Sequence, residues 1–195
     1  MRVSAEVKAS TRKRILETAG ALFRARGWDA TTTRDIAAAA GIASGTLFNY
    51  FATKEAVGAA LLGAAFARAE AEIERRAARS LEEDLFAFVW SGLRHARTLR
   101  EFAPAVIGDD VAAAHRARVA SIVELHTGKP LQPMPAHVYW SLYIGLLESW
   151  AADDSPHQEH TLALLDHTLA VFVASLGAAS ARPKKQRSTD VRSIG

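Results

Sequence analysis

Apolar residues recur along most of this chain in helical register. Between residues 10 and 26 they fall at Ile15, Leu16, Ala19, Leu22 and Phe23, the stripe of an amphipathic helix. Ser10 or Thr11 is the expected N-cap, and Gly27 the stop. Thr32 with Asp35 three positions later writes a capping box, and Ile36 with the alanines 37 to 40 makes a short helix with a small, smooth inner face. Gly41 ends it, Ser44 is placed to cap a second short helix, and Ile42 and Leu47 are the apolar pins between the two. Lys54-Glu55 opens a long helix expected to run to about Arg79.

Further on, Ser80-Leu81-Glu82-Glu83 is another capping signal, for a helix to about residue 99 carrying Leu85, Phe86, Val89, Trp90 and Leu93 on one stripe. A short segment holds Phe102, Pro104, Val106 and Ile107, and Asp109-Asp110 opens the next helix, which ends near Gly128. Pro130, Pro133 and Pro135 predict an irregular loop before an aromatic helix over 136–152. Ser155-Pro156-His157-Gln158 predicts the start of the last helix, which continues to about Leu176. The whole reads as an all-α fold of about nine helices.

Two short helices across a glycine turn, the second crowded with polar and aromatic residues, spell a helix-turn-helix, whose second helix normally lies in the DNA major groove. A plain helical hairpin is the alternative. Charge distribution favours the reader. Residues 1–55 carry net +4, residues 56–179 net −5 and the tail from Ser180 net +4, so positive charge gathers at the end expected to meet phosphate. Arg12, Lys13 and Arg14 stand in the expected first turn of the first helix, where cations oppose the helix dipole, and a nearby phosphate backbone would account for them. With no cysteine, disulfides and thiol chemistry are excluded. Residues 1–10 are polar and no uninterrupted apolar run reaches membrane-spanning length, so a cytoplasmic protein without membrane attachment is expected. No nucleophile elbow or phosphate loop appears, and the expectation is a non-enzyme without cofactor.

The run Ile15-Leu16, Ala19, Leu22-Phe23, Gly27, Thr31-Thr32, Asp35-Ile36-Ala37, Ala40-Gly41-Ile42, Gly45-Thr46-Leu47, Tyr50-Phe51 and Lys54-Glu55 resembles the N-terminal domain of the TetR family of bacterial transcriptional repressors. The resemblance implies a three-helix DNA-binding domain over 10–55, after a flexible arm over 1–9. A larger helical ligand-binding and dimerisation domain over 56–178 and a disordered basic tail over 179–195 complete the expected organisation. It implies a homodimeric repressor on a palindromic double-stranded operator, released by a small molecule. Carried over by position, it assigns DNA contact to Thr32, Thr33, Arg34, Ser44, Gly45, Thr46, Phe48, Asn49, Tyr50 and Lys54. Arg34 suits direct readout, since a guanidinium can grip guanine O6 and N7 together. Lys54 matches a cation usually found on a phosphate. Phe48 departs from the family, which most often has tyrosine there, and forfeits one hydrogen bond to a phosphate.

The body is less explicit. Phe86, Trp90, His95, Phe102, Trp140 and Tyr143 supply more rings and polar tips than a plain core needs, and are the candidate lining of a pocket for a hydrophobic or aromatic small molecule. Ser141, Gly145 and Ser149 form a small-residue groove at four-residue spacing, and with Leu165, Leu169 and Phe172 they are the candidate dimer face; in the family the last two helices form a four-helix interface. His157, His160 and His167 near Asp153 and Asp154 are of metal-ligating types, but at an exposed helix start such residues also serve as caps and solvated side chains, and no metal site is expected. The competing reading is a helical small-molecule- or metal-binding protein whose helix-turn-helix is only structural.

Overall fold

In the computed structural model, residues 4–73 and 80–181 are described. Among them are nine α-helices and no strand: α1 (Ala5–Arg26), α2 (Thr33–Ala39), α3 (Ser44–Phe48), α4 (Lys54–Ile73), α5 (Leu81–His95), α6 (Ala103–Val106), α7 (Asp109–Thr127), α8 (Pro133–Ala152) and α9 (Glu159–Ala181). The far end of α4, expected near Arg79, lies outside the described residues, as does the tail from residue 182.

Several ends fall where local chemistry dictates. Ser80 and Glu83 close the capping box of α5, and Gly128 (φ 65°) closes α7 in the left-handed conformation. Helix α5 ends at His95 rather than near residue 99 and α9 runs to Ala181 rather than 176, and three helix starts also differ from expectation. The first helix begins at Ala5, capped by Ser4, whose hydroxyl accepts from the Val7 amide at 3.2 Å. Ser10, expected to cap, instead donates to the Val7 carbonyl from inside the helix. Residues 5–9 are therefore helical, and Arg12, Lys13 and Arg14 sit mid-helix, free of any dipole penalty. Helix α8 starts at Pro133, because proline at the first helical position lacks only an amide that would have no helical partner anyway.

The third differing start is that of α9. Ser155 does cap it, but through the His160 amide at 3.2 Å, and Gln158 closes no box. His157 and Gln158 stand at φ 54° and 60° in the intervening turn, a conformation that costs residues with a Cβ. Asp153 holds that turn: its carboxylate accepts from the Ser155 amide (2.9 Å) and hydroxyl (2.6 Å), from the Thr161 amide (2.9 Å) and from the Thr161 hydroxyl.

Packing divides the helices into a small N-terminal unit and a larger body. Helix α1 rests on α2 and α4, and α2 on α3, around Ile15, Ala19, Phe23, Ile36 and Leu47. In the body α4 packs on α5, α6 and α7, while α8 packs on α9 and α9 on α5. Gly92 lets α5 approach α4 closely; a Cβ there would come within 3.3 Å of the Phe66 ring. The run Pro156–Gly177 has the length and mean hydropathy (1.3) of a bilayer-crossing helix by composition, although exposed His160, Asp166 and His167 interrupt it. Its apolar residues are split between a face buried on the body and a face of small exposed side chains.

Candidate nucleic-acid interface and ligand compartment

Each part of the helix-turn-helix is fixed by a local cause. Thr32 accepts from the Asp35 amide at 3.2 Å, and the Asp35 carboxylate accepts from the Thr32 amide at 2.8 Å and hydroxyl at 2.6 Å. Those hydrogen bonds, the hydroxyl foremost, with help from Arg26 nearby, hold the Asp35 carboxyl below the usual carboxylate range. Gly41 adopts φ 65°, and the Ile42 amide reaches back to the Ala37 carbonyl at 3.0 Å, so the chain reverses directly after α2. Leu47 is fully buried and pins α3 to the domain. Ser44 is the first helical residue, and Ala43 holds the cap position without a side-chain bond, so the expected capping role is absent and the hydroxyl is exposed.

The outer surface of this unit gathers most of the expected DNA contacts. Thr32, Arg34, Ser44, Gly45, Phe48 and Asn49 are exposed, and Thr33, Thr46 and Tyr50 are half-buried. Phe48 is 51% exposed, unusual for so large an apolar ring. A Cβ on Gly45 would meet nothing within 4 Å, so the fold does not require glycine there. Arg34 carries no ion pair among the described residues. On the neighbouring helix Arg12 lies over the Phe51 ring at 5.1 Å.

Lys54 does not stand free for phosphate as expected. Its ammonium donates to the Trp28 carbonyl at 2.9 Å and lies 4.4 Å from the indole centre. Trp28 in turn stacks on Phe102 of the body at 4.2 Å and meets Phe23 at 4.8 Å. Gly58 makes room for it, since a Cβ there would come within 3.0 Å of the indole and 3.2 Å of Val106. The first turn of α4, the α1–α2 turn and the start of α6 thus share one tryptophan. Phe102, a candidate pocket residue in the sequence, belongs to this joint.

In the body the structure joins only two of the six candidate pocket residues. Trp140 and Tyr143 lie 5.6 Å apart around His115, whose ring stacks on Tyr143 at 4.0 Å and whose Nε2 is 2.8 Å from the Tyr139 hydroxyl. Burial, with a smaller push from Arg116, takes the His115 imidazole down to about 3, so it is neutral near pH 7. Burial likewise raises the Tyr139 and Tyr143 phenols above their ordinary range. His95 instead contacts Glu72 at 3.0 Å near the surface, and Phe86 and Trp90 pack half-buried against the core. Nothing in the sequence marks His115, because a lone histidine between Ala114 and Arg116 looks like part of a solvated face.

The dimer candidates also divide. Ser141 and Gly145 are exposed and Ser149 half-buried, as an interface requires. Leu165, Leu169 and Phe172 are buried within the single chain (0%, 3% and 0% exposed), so they belong to its own core. The free face of α9 is carried by Ala163, Ala170, Val171, Ala174 and Gly177.

Comparison with known proteins follows the same division. The family model described as "Bacterial regulatory proteins, tetR family" matches residues 15–61. The HTH-type transcriptional repressor KstR2 of Mycobacterium tuberculosis is 54% identical over 54 residues, covering 28% of this chain and 26% of that protein. KstR2 of Rhodococcus jostii is 50% identical over 50 residues, 26% of this chain and 24% of its own length. The chain thus spans about a quarter of these relatives. Solved structures extend the likeness through the body. A TetR transcriptional regulator from Nitrosomonas europaea aligns over 85% of this chain and 99% of its own, with TM-score 0.62 and 20% identity. Thermus thermophilus FadR, a repressor solved in complex with lauroyl-CoA, aligns over 83% and 93%, with TM-score 0.59 and 25% identity.

Proposed function

We propose that this chain belongs to the TetR family of bacterial regulatory proteins and works there as a homodimeric repressor, binding a palindromic operator through α3 and released by a small molecule held in the body. One observation carries the DNA reading. A helix pinned by buried Leu47 turns Ser44, Gly45, half-exposed Phe48 and Asn49 outward, beside an exposed Arg34. No internal contact explains glycine at position 45, and a close-approaching external backbone does. Phe48 offers apolar contact to a sugar or a thymine methyl.

Two such readers must meet successive major grooves, about 34–36 Å apart. The exposed small-residue faces of α8 and α9 supply the dimer contact, since an uncovered face of this kind admits a second backbone closely. Release follows from the shared position of α4, which starts at the reader with Lys54 and continues into the body against α5 and α7. A ligand that displaces α4 changes the separation of the two readers, and a difference of a few kcal/mol between the states is enough to empty the operator. An operator target places the protein in the bacterial cytoplasm.

The test begins with an operator selected from a random DNA pool, followed by gel shift at fixed salt. Arg34→Ala is expected to weaken operator binding by about tenfold or more, the range for a base-reading arginine, with dimer mass and helix content unchanged. Wild type that binds no DNA at low salt would leave the helix-turn-helix a structural hairpin and favour a helical small-molecule-binding protein.

A further inference from the structure

A cavity of about 100 Å3 lies where α4, α5 and α7 meet, bounded by Phe66, Phe88, Val111, Ala114, His115 and, at its rim, Glu70. Its walls are held from behind. Phe66 is seated against Gly92, and His115 is clamped between its contact with Tyr139 and its stack on Tyr143. The His115 ring lies 4.9 Å from Phe88 and 5.8 Å from Phe66, so one nitrogen heterocycle shares the cavity with two hydrocarbon rings. Contact with Tyr139 uses Nε2, which leaves Nδ1 as the remaining polar atom of that ring.

These boundaries sort ligands by chemistry. The volume is well below the roughly 300–1,000 Å3 of pockets for larger ligands and close to the ~150 Å3 apolar cavity known to hold benzene. No cation lines the cavity. Glu70 at its rim is matched by Arg118 at 3.6 Å, and a buried carboxylate would enter without compensation. A hydrocarbon fits by shape but would cover the His115 Nδ1 without giving it a partner. A hydroxyl satisfies it in either tautomer, because it both donates and accepts.

We propose that this cavity binds a small neutral aromatic ring bearing one hydroxyl, its ring against Phe66 and Phe88 and its hydroxyl hydrogen-bonded to His115. The assignment rests on the reading of the body as a ligand compartment and names the class of molecule for it. Its occupant would press directly on α4 at Gly63, Phe66 and Ala67, the helix that begins at the reader.

Calorimetric titration of the full chain with phenol, toluene and benzoate tests the assignment. Phenol is expected to bind about tenfold or more tighter than toluene, the low end of what an unpaired buried polar atom costs, with benzoate weakest. His115→Phe keeps a ring in place and is expected to retain toluene binding while abolishing the preference for phenol. Ala67→Phe, at the exposed edge of the cavity, is expected to remove binding of phenol and toluene with the fold intact by circular dichroism. Phenol no tighter than toluene, benzoate the tightest, a preference that survives His115→Phe, or phenol binding untouched by Ala67→Phe would each overturn the proposal. Operator binding by the same preparations keeps the two readings apart. A protein that grips DNA and fails the phenol series keeps the repressor and loses the cavity ligand; one that passes the series and grips no DNA does the reverse.

Discussion

Asp153 has a nearly inaccessible side chain, 1% exposed, yet it remains ionised because four donors from Ser155 and Thr161 converge on it. The Ser155 hydroxyl contributes most to holding its carboxyl well below the usual carboxylate range, and the Thr161 hydroxyl follows. A folded-state value below the unfolded one means stability that is complete above the ordinary aspartate value and is lost as pH falls through the folded value. Asp153→Asn, which exchanges an acceptor for a donor, is expected to cost about 2–3 kcal/mol at pH 7. That deficit should narrow as pH drops below about 4; chemical denaturation at both pH values would show it, and a deficit independent of pH would remove the charge from the explanation. At this scale the sequence was legible where two residues spell a capping box between them, as in Thr32 with Asp35 or Ser80 with Glu83. The cap of α1 is misread from sequence: Ser10 or Thr11 is expected, and the helix runs further back, to Ser4. Asp153 was hidden because its partner Thr161 lies eight residues on, across a turn of unusual dihedrals.

Helices α8 and α9 show where hydrophobic pattern ceases to inform. Both are apolar on more than one side, so spacing alone cannot divide a buried face from a partner face. By size and register Leu165, Leu169 and Phe172 suit an interface, and the structure puts them inside the single chain. Ser141 and Gly145 remain candidates for a partner face, since small residues at four-residue spacing are poor core fillers and both are exposed in the single chain. A Cβ on Gly145 would touch nothing within 4 Å in the single chain, which leaves the site open to an approaching helix. Gly145→Leu is therefore expected to raise the helical stability of the subunit by up to about 1 kcal/mol while breaking the dimer. Sedimentation at micromolar concentration would report a shift from dimer to monomer with unchanged helix content. A variant that stays dimeric would move the interface off this face.

For the molecule as a whole, the joint around Trp28 matters more than either unit alone. Trp28, Phe23 and Phe102 form one ring cluster, closed on its α4 side by Lys54 and Gly58. Trp28→Ala is expected to cost about 3 kcal/mol, the low end for truncating a large aromatic in a packed site. It should also split unfolding, with the N-terminal helices melting ahead of the body in a denaturant series followed by circular dichroism. A single transition at the original midpoint would show that the units do not depend on this contact. The cluster was only half visible in sequence: Trp28 stood out as an aromatic plug after Gly27, but its partner lies 74 positions on, and Phe102 read as pocket lining. The family model matches residues 15–61, yet the reader's own aromatic core is completed by Phe102, far beyond that stretch. A body grafted in place of this one without a ring at the position of Phe102 would leave Trp28 unstacked, so a chimera that keeps only the N-terminal helices is expected to lose part of the reader's own packing.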